Sequence, residues 1–168
     1  MELSPAAIRQ AEAEFCRENP VYFVETYCHI EDKDAAELIV PFRLWDGQRR
    51  ALEEFSRYRL NVVLKARQLG FTWLALCEGA RLVVLSAGRT VVGLSRSEDE
   101  AKELVRRLGV ILRYMPEFVA EEGHVPPGWD GPVFAVTALS LTVHFPDRPE
   151  SVFKAFPSSP AVGRSFTA

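Results

Sequence analysis

Apolar and polar positions change period partway along this chain. After Ser4-Pro5, the residues Ala7, Ile8, Ala11 and Phe15 recur at helical spacing. Serine followed by proline starts a helix well, because the hydroxyl satisfies a free N–H and proline's fixed φ suits the first helical position. A first helix is therefore predicted, ending near Asn19-Pro20. The apolar segment Val21 to Ile30 predicts a second, closed by the acidic turn Glu31-Asp32-Lys33-Asp34. Asp46 is placed to cap a third that runs to about Arg59, with Ala51, Leu52 and Phe55 facing inward.

Beyond Arg59 the pattern shortens. Asn61-Val62-Val63-Leu64-Lys65 is continuously apolar and rich in β-branched residues, the signature of a strand buried on both faces. It leads through Ala66 to Gly70 into an apolar helix predicted from Thr72 to about Ser86, then to a second buried strand, Thr90 to Ser95. Ser97 and Glu100 form a capping box for a helix whose Ala101, Leu104, Val105, Leu108, Ile111 and Leu112 share one face. Strand, helix, strand, helix in this order predicts parallel βαβ connectivity and the α/β class. Met115 to Pro132, rich in Pro, Gly and Glu, predicts a long loop. Leu141, Val143 and Phe145 alternate with Thr142 and His144 as a half-buried strand, and Pro146 to Pro149 turns the chain into a partner strand, Ser151 to Phe156. A polar, turn-forming tail runs from Pro157 to Ala168.

Composition narrows the possibilities. A chain of 168 residues, 48% hydrophobic and 26% charged, is one globular domain's worth of protein. It divides into an N-terminal helical segment, 1–60, and an α/β core, 61–168. A net charge of −3 argues against a free-standing nucleic-acid binder, so any DNA contact is expected to be local. Cys16, Cys28 and Cys77 show no ligand spacing with one another or with His29, His124 and His144, which predicts reduced thiols and no structural metal. The start lacks the basic and apolar regions of a signal peptide. The apolar stretch from Trp73 to Leu94 is interrupted by Glu78, Arg81, Gly88 and Arg89, so no membrane span is expected.

Chemistry concentrates in Lys65-Ala66-Arg67-Gln68-Leu69-Gly70-Phe71-Thr72, where a predicted strand hands over to a helix. Such a junction aims backbone N–H groups and the positive helix end at one spot, which suits a phosphate. The phosphate-binding loop G-x-x-x-x-G-K-[ST] has its second glycine and its hydroxyl in register with Gly70 and Thr72. Lys65 stands at the first glycine and Phe71 at the usual lysine. A lysine at the loop's start can supply the displaced ammonium from the strand end, and Arg67 adds a fork-shaped cation. Read alone, the octet is equally an ordinary strand-to-helix turn. Upstream, Pro41-Phe42-Arg43-Leu44-Trp45-Asp46-Gly47-Gln48 sets a glutamine behind aromatics. A side-chain amide matches the N6/N7 edge of adenine; on their own, Gln48 also reads as a helix-surface residue, and Trp45 and Phe42 as core. Arg49, Arg50, Arg57 and Arg59, like Arg106, Arg107 and Arg113, read as solvated helix faces.

Together, Asn19-Pro20-Val21-Tyr22-Phe23, Pro41-Phe42-x-Leu44-Trp45-x-x-Gln48 and Val63 to Thr72 resemble the N-terminal ATPase region of bacteriophage terminase large subunits, the motors that package viral DNA. The likeness continues through Ser95-x-Ser97, Ala101 and Phe156-Pro157-Ser158-Ser159, and departs from many members at Gly70-Phe71-Thr72. The resemblance implies a P-loop NTPase-like parallel sheet core entered through N-terminal helices, carrying an added antiparallel hairpin and cut short before the Walker B strand. It implies that Gln48 and Trp45 hold adenine. Lys65, Arg67, Gln68, Gly70, Phe71 and Thr72 would hold the triphosphate of ATP, with Thr72 on Mg²⁺. Arg164, which alone reads as a solvated tail residue, would be an arginine acting on a neighbouring subunit's nucleotide, with Arg67 assisting. The implied partners are double-stranded DNA through an assembled motor, a portal protein, a small terminase subunit and further copies of the chain, in the cytoplasm of a bacterial host. The carboxylates that such ATPases use on Mg²⁺ and water have no candidate strand end here, since Asp147 falls in a predicted turn, so this chain alone is expected to hydrolyse ATP poorly. A helicase-like ATPase and a non-catalytic α/β binding module are the alternatives.

Overall fold

The computed structural model describes residues 4–65 and 69–158. Helix α1 (Pro5–Glu18) starts as its sequence dictates: the Ser4 hydroxyl accepts the Ala7 N–H at 3.2 Å and Pro5 opens the first turn. Pro20 then opens α2 (Pro20–Tyr27). Tyr22 and Tyr27 of α2 both donate to one Glu12 carboxylate oxygen, at 2.9 and 2.8 Å, and tie the two helices together.

Helix α2 is shorter than the predicted Val21–Ile30. Cys28 takes extended geometry, and β1 (His29–Glu31) pairs antiparallel with β2 (Ile39–Pro41), so the acidic turn connects a hairpin rather than closing a helix. The β-branched Ile30 meets Val40 across the ladder, a partner that comes from later in the chain. Helix α3 (Asp46–Arg57) is capped one residue earlier than expected, at Trp45, and Asp46 sits in its first turn, where its charge suits the helix dipole. Leu52 is fully buried, with Ala51 and Phe55 packed against the same core.

Helix α4 (Phe71–Leu85) buries most of its circumference, among it Trp73, Leu74, Cys77, Ala80, Val83 and Val84, and leaves exposed or half-buried only Thr72 and the stripe Phe71, Ala75, Glu78 and Leu82. Even Arg81 is inside, its guanidinium held by the Glu78 carboxylate and the Arg17 carbonyl. A helix with so wide an apolar surface has to be enclosed, and α1, α2, α3, α5 (Glu98–Arg113) and the longest strand, β7 (Arg148–Pro157), pack against it. The five-stranded sheet has the order β3-β7-β6-β5-β4, with β3 (Thr90–Ser95), β4 (Ala120–Glu121), β5 (Val133–Val136) and β6 (Ser140–Phe145). Strand β7 runs parallel to β3, from Thr90 facing Val152 to Ser95 facing Pro157, and antiparallel to β6. Strand β5 is antiparallel to β6 and parallel to the short β4. The class is α/β, with a mixed sheet beside the two-stranded β1–β2 sheet.

The predicted hairpin forms, turning at Pro146-Asp147 with Asp147 left-handed at φ 54°. Alternate residues Leu141, Val143, Phe145, Phe153 and Ala155 are buried on the face that carries α4 and α5. Ser151 joins the layers: its hydroxyl accepts from Arg89 N at 2.9 Å and donates to the Ser86 carbonyl at 2.7 Å, fixing the turn between α4 and β3.

Two further sequence expectations fail. Asn61–Lys65 does not form a strand, and with it goes the βαβ unit that would have led into the loop before α4. A buried strand needs neighbours that supply both a ladder and apolar cover. The described residues give this segment no strand partner, and Val62 and Leu64 are 98% and 100% exposed. Strand β3, expected to be buried on both faces, lies at the sheet edge with Val92 and Leu94 on the open side. Residues before and after position 60 nevertheless share one apolar core, from Cys16 to Ala155. Urea unfolding separates these environments: Val62→Ser and Leu64→Ser should change stability by no more than about 0.5 kcal/mol, whereas Leu74→Ala should cost about 2–5 kcal/mol. A loss above about 2 kcal/mol for Leu64→Ser would place that segment in the core.

Candidate functional site

Gly70 sets up the start of α4. It lies in the left-handed region, at φ 67° and ψ 7°, where an L side chain is strained and glycine is not. Its carbonyl accepts the first intrahelical bond from Leu74 N at 3.0 Å. Gly70 has no side chain to cap this helix end, and no acidic residue lies in its first turn. By contrast, α1 has Ser4 and α5 has both Ser97 and three first-turn acids. The free N–H groups and positive dipole of α4 are thus uncompensated from within the helix.

Gln48 braces this junction. Buried at the start of α3, it accepts from Trp45 N through Oε1 at 3.3 Å and donates from Nε2 to the Leu69 carbonyl at 3.0 Å. One amide therefore caps α3 and holds the residue before Gly70. Both ends of the amide are thus engaged inside the chain, and the residue is only 2% exposed. A Cβ on Gly70 would stand 2.9 Å from that same Nε2. Trp45 folds its ring across Gly47, where an added Cβ would come within 1.8 Å of it, and meets Phe71 edge to face with ring centroids 6.0 Å apart.

A cavity of about 740 Å³ opens beside this junction, within the range of small-molecule sites. Phe71 and Thr72 line it from the start of α4, Lys65 from the irregular segment before it, and Ser95 and Arg96 from the carboxyl end of β3. Its apolar floor includes Ala75, Val91, Leu104 and Phe153. Sequence reasoning thus places three residues, Lys65, Phe71 and Thr72, on one cavity. Trp45 and Gln48 are not in its lining; Trp45 touches the lining residue Phe71, and Gln48 holds the Leu69 carbonyl just before Gly70. Arg67, Gln68 and Arg164 lie outside the described residues.

The α5 wall of the cavity carries charges that the sequence reading left on a solvated face. Glu100 pairs with Arg96 at 2.5 Å. Glu103 accepts from Arg106 Nε at 2.7 Å and Arg107 Nε at 2.8 Å, and Arg106 reaches on to both oxygens of Glu31 in β1, at 2.7 and 2.6 Å. The Arg106 hydrogen bond, reinforced by Arg107 against the opposing effect of burial, holds the Glu103 carboxyl down at about 2. Glu31 is lowered by Arg106 in the same way. A signal for Arg107 was present in the sequence: it stands three residues after Leu104 and four before Ile111, flanking the apolar stripe of α5 rather than opposing it. Among the described residues no group of three or more His, Cys, Asp or Glu is placed to hold a metal ion. No protein-family model matches the chain.

Two outcomes test this arrangement. Gly70→Ala should lose about 1–2 kcal/mol from the left-handed backbone alone. Because the new Cβ also strikes Gln48, the double variant Gly70→Ala/Gln48→Ala should lose less than the sum of the single losses; strict additivity in chemical denaturation would show that the two do not touch. The Glu31–Arg106–Glu103 group sets a pH dependence. Carboxylates held below their usual 4.5 contribute stability that is complete above that value and is lost as pH falls toward about 2. The pairs are partly exposed, so each is worth no more than about 1 kcal/mol. Arg106→Gln should therefore lower the thermal midpoint at pH 7 by about 2–4 °C, and the difference should shrink as pH falls through about 2. A difference as large at pH 2 as at pH 7 would assign the loss to packing.

Proposed function

We propose that this chain is the ATP-gripping part of a viral DNA-packaging motor of the terminase large-subunit kind. The observation that carries the reading is the cavity at the uncapped start of α4, preceded by left-handed Gly70 and lined by Lys65, Phe71 and Thr72. An uncapped helix end, a nearby ammonium and a hydroxyl are the donor set a polyphosphate needs. In this reading the α4 N–H groups and Lys65 hold phosphate oxygens, with Arg67 and Gln68 contributing from the loop. Trp45 and Gln48 flank the base. Thr72 offers a hydroxyl to Mg²⁺, which arrives on the phosphates, since Mg²⁺ sites combine few protein groups with substrate oxygens. ATP supplies the phosphoryl-transfer chemistry when bound.

Hydrolysis needs a carboxylate on the metal and a group that orients water. The carboxylates that line the cavity, Glu100 and Glu103, are already engaged by arginines. The chain's own contribution is therefore binding and orientation, with turnover coupled to DNA movement in the assembled motor. Double-stranded DNA, a portal protein, a small terminase subunit and further copies of this chain, where Arg164 would act in trans, belong to the same reading, set in the cytoplasm of a phage-bearing host. Among the described residues no helix is long and apolar enough to cross a membrane.

A non-catalytic α/β binding module is favoured by one observation, the absence of Asn61–Lys65 from the sheet. A helicase-like ATPase shares the upstream glutamine, but Phe71 stands where helicases keep their lysine. Calorimetric titration with ATP·Mg²⁺ decides between grip and module: the wild-type chain should bind, and Lys65→Ala should weaken binding at least about tenfold. No heat from the wild type favours the module, and equal affinities would remove Lys65 from the phosphate.

A further inference from the structure

The cavity holds a cation that none of the motifs above contains. Arg107 projects from the flank of α5, and its guanidinium carbon lies 5.1 Å from the centre of the Trp73 ring, on the first turn of α4. Its Nε donates to Glu103 at 2.8 Å, its one hydrogen bond among the described residues. The guanidinium is thus fixed on one face by the indole and on one edge by a carboxylate. A guanidinium has five N–H donors in a rigid fork, so the four on its two terminal nitrogens remain for a ligand. The side chain is 31% exposed and lines the same cavity as Lys65 and Thr72.

Its neighbours are differently committed. Arg96 directs both Nε and Nη2 to Glu100 and is 86% exposed, so its charge is paired and screened by water. Glu103 divides its charge between Arg106 and Arg107, and Arg106 is already satisfied by both oxygens of Glu31. The charged lining, three cations (Lys65, Arg96 and Arg107) against two carboxylates (Glu100 and Glu103), is net positive by one.

We infer that Arg107 is a phosphate-binding residue of this cavity, gripping a polyphosphate through its two terminal nitrogens while Trp73 and Glu103 fix its plane. A planar fork matches two oxygens of one phosphate, and a fork already immobilised loses little freedom on binding. The ligand's identity as a nucleotide rests on the proposal above; the cation and its geometry do not.

Binding of AMP, ADP and ATP, each with Mg²⁺, and of inorganic tripolyphosphate to the full chain tests this in wild type, Arg107→Gln and Arg107→Lys. Arg107→Gln should weaken ATP and tripolyphosphate about tenfold or more and AMP by no more than about twofold, the loss growing with phosphate number. Arg107→Lys keeps the charge and the packing stem without the fork and should fall between. The AMP arm also reports that each variant is folded. Equal losses for AMP and ATP, or ATP binding by Arg107→Gln at wild-type affinity, would overturn the assignment and leave the nucleotide proposal standing. A wild type that binds tripolyphosphate but no nucleotide, with binding lost in Arg107→Gln, would uphold Arg107 and overturn the nucleotide. No binding of any of the four ligands would overturn both.

Discussion

Helix α4 leaves one narrow stripe exposed or half-buried, Phe71, Ala75, Glu78 and Leu82 with Thr72 beside it, and must bury the rest of its surface; the molecule is organised by that constraint. Ten of its fifteen residues are buried, so it cannot lie on a surface as an amphipathic helix does. The N-terminal helices, α5 and the sheet close around it from different sides. Enclosure also fixes where its ends can emerge. Its first turn reaches the cavity at Phe71 and Thr72, while its last turn is held by Ser151 and by Arg17, which donates to the Leu85 carbonyl at 3.1 Å. A helix gripped along its length presents its free N–H groups in a constant direction, which is what a phosphate site requires.

What the sequence disclosed follows from how local each signal is. Helices α1, α4 and α5 were legible because serine caps and a periodic or unbroken apolar run act within the segment itself. The segment Asn61–Lys65 was misread because β-branched apolar residues report fitness for a sheet, and whether a sheet edge is available depends on distant chain. The same non-locality turned Cys28 to Glu31 from helix to hairpin, since Val40 and Ile39 decide it. Strand β5, four residues long, went unnoticed because it carries no alternation of its own and is held by pairing with β6.

The site shows the same division. Gly70 and Thr72 were picked out by spacing, and they stand at the start of α4, while the strand that a phosphate-binding loop puts before them is absent. Gln48 was singled out for a ligand, and the structure gives it a task inside the chain, joining α3 to the residue before Gly70 through both its Oε1 and its Nε2. Arg107 was hidden among surface arginines because its distinguishing contact, Trp73, lies on another helix. The ion pairs from Glu31 through Arg106 to Glu103 likewise tie the β1–β2 hairpin to the cavity wall across a long stretch of sequence.

The two ends of the sheet differ in a way that gives it a direction of growth. At one end β4 is only two residues long, a blunt margin that offers almost no ladder. At the other, β3 runs for six residues without a proline or a charged side chain, and its outer row of N–H and C=O groups meets no strand among the described residues. Sheets are ordinarily closed off at such margins by charge, proline or cover. Among the described residues β3 is therefore the margin with a ladder to offer, and its last residue, Ser95, lines the cavity.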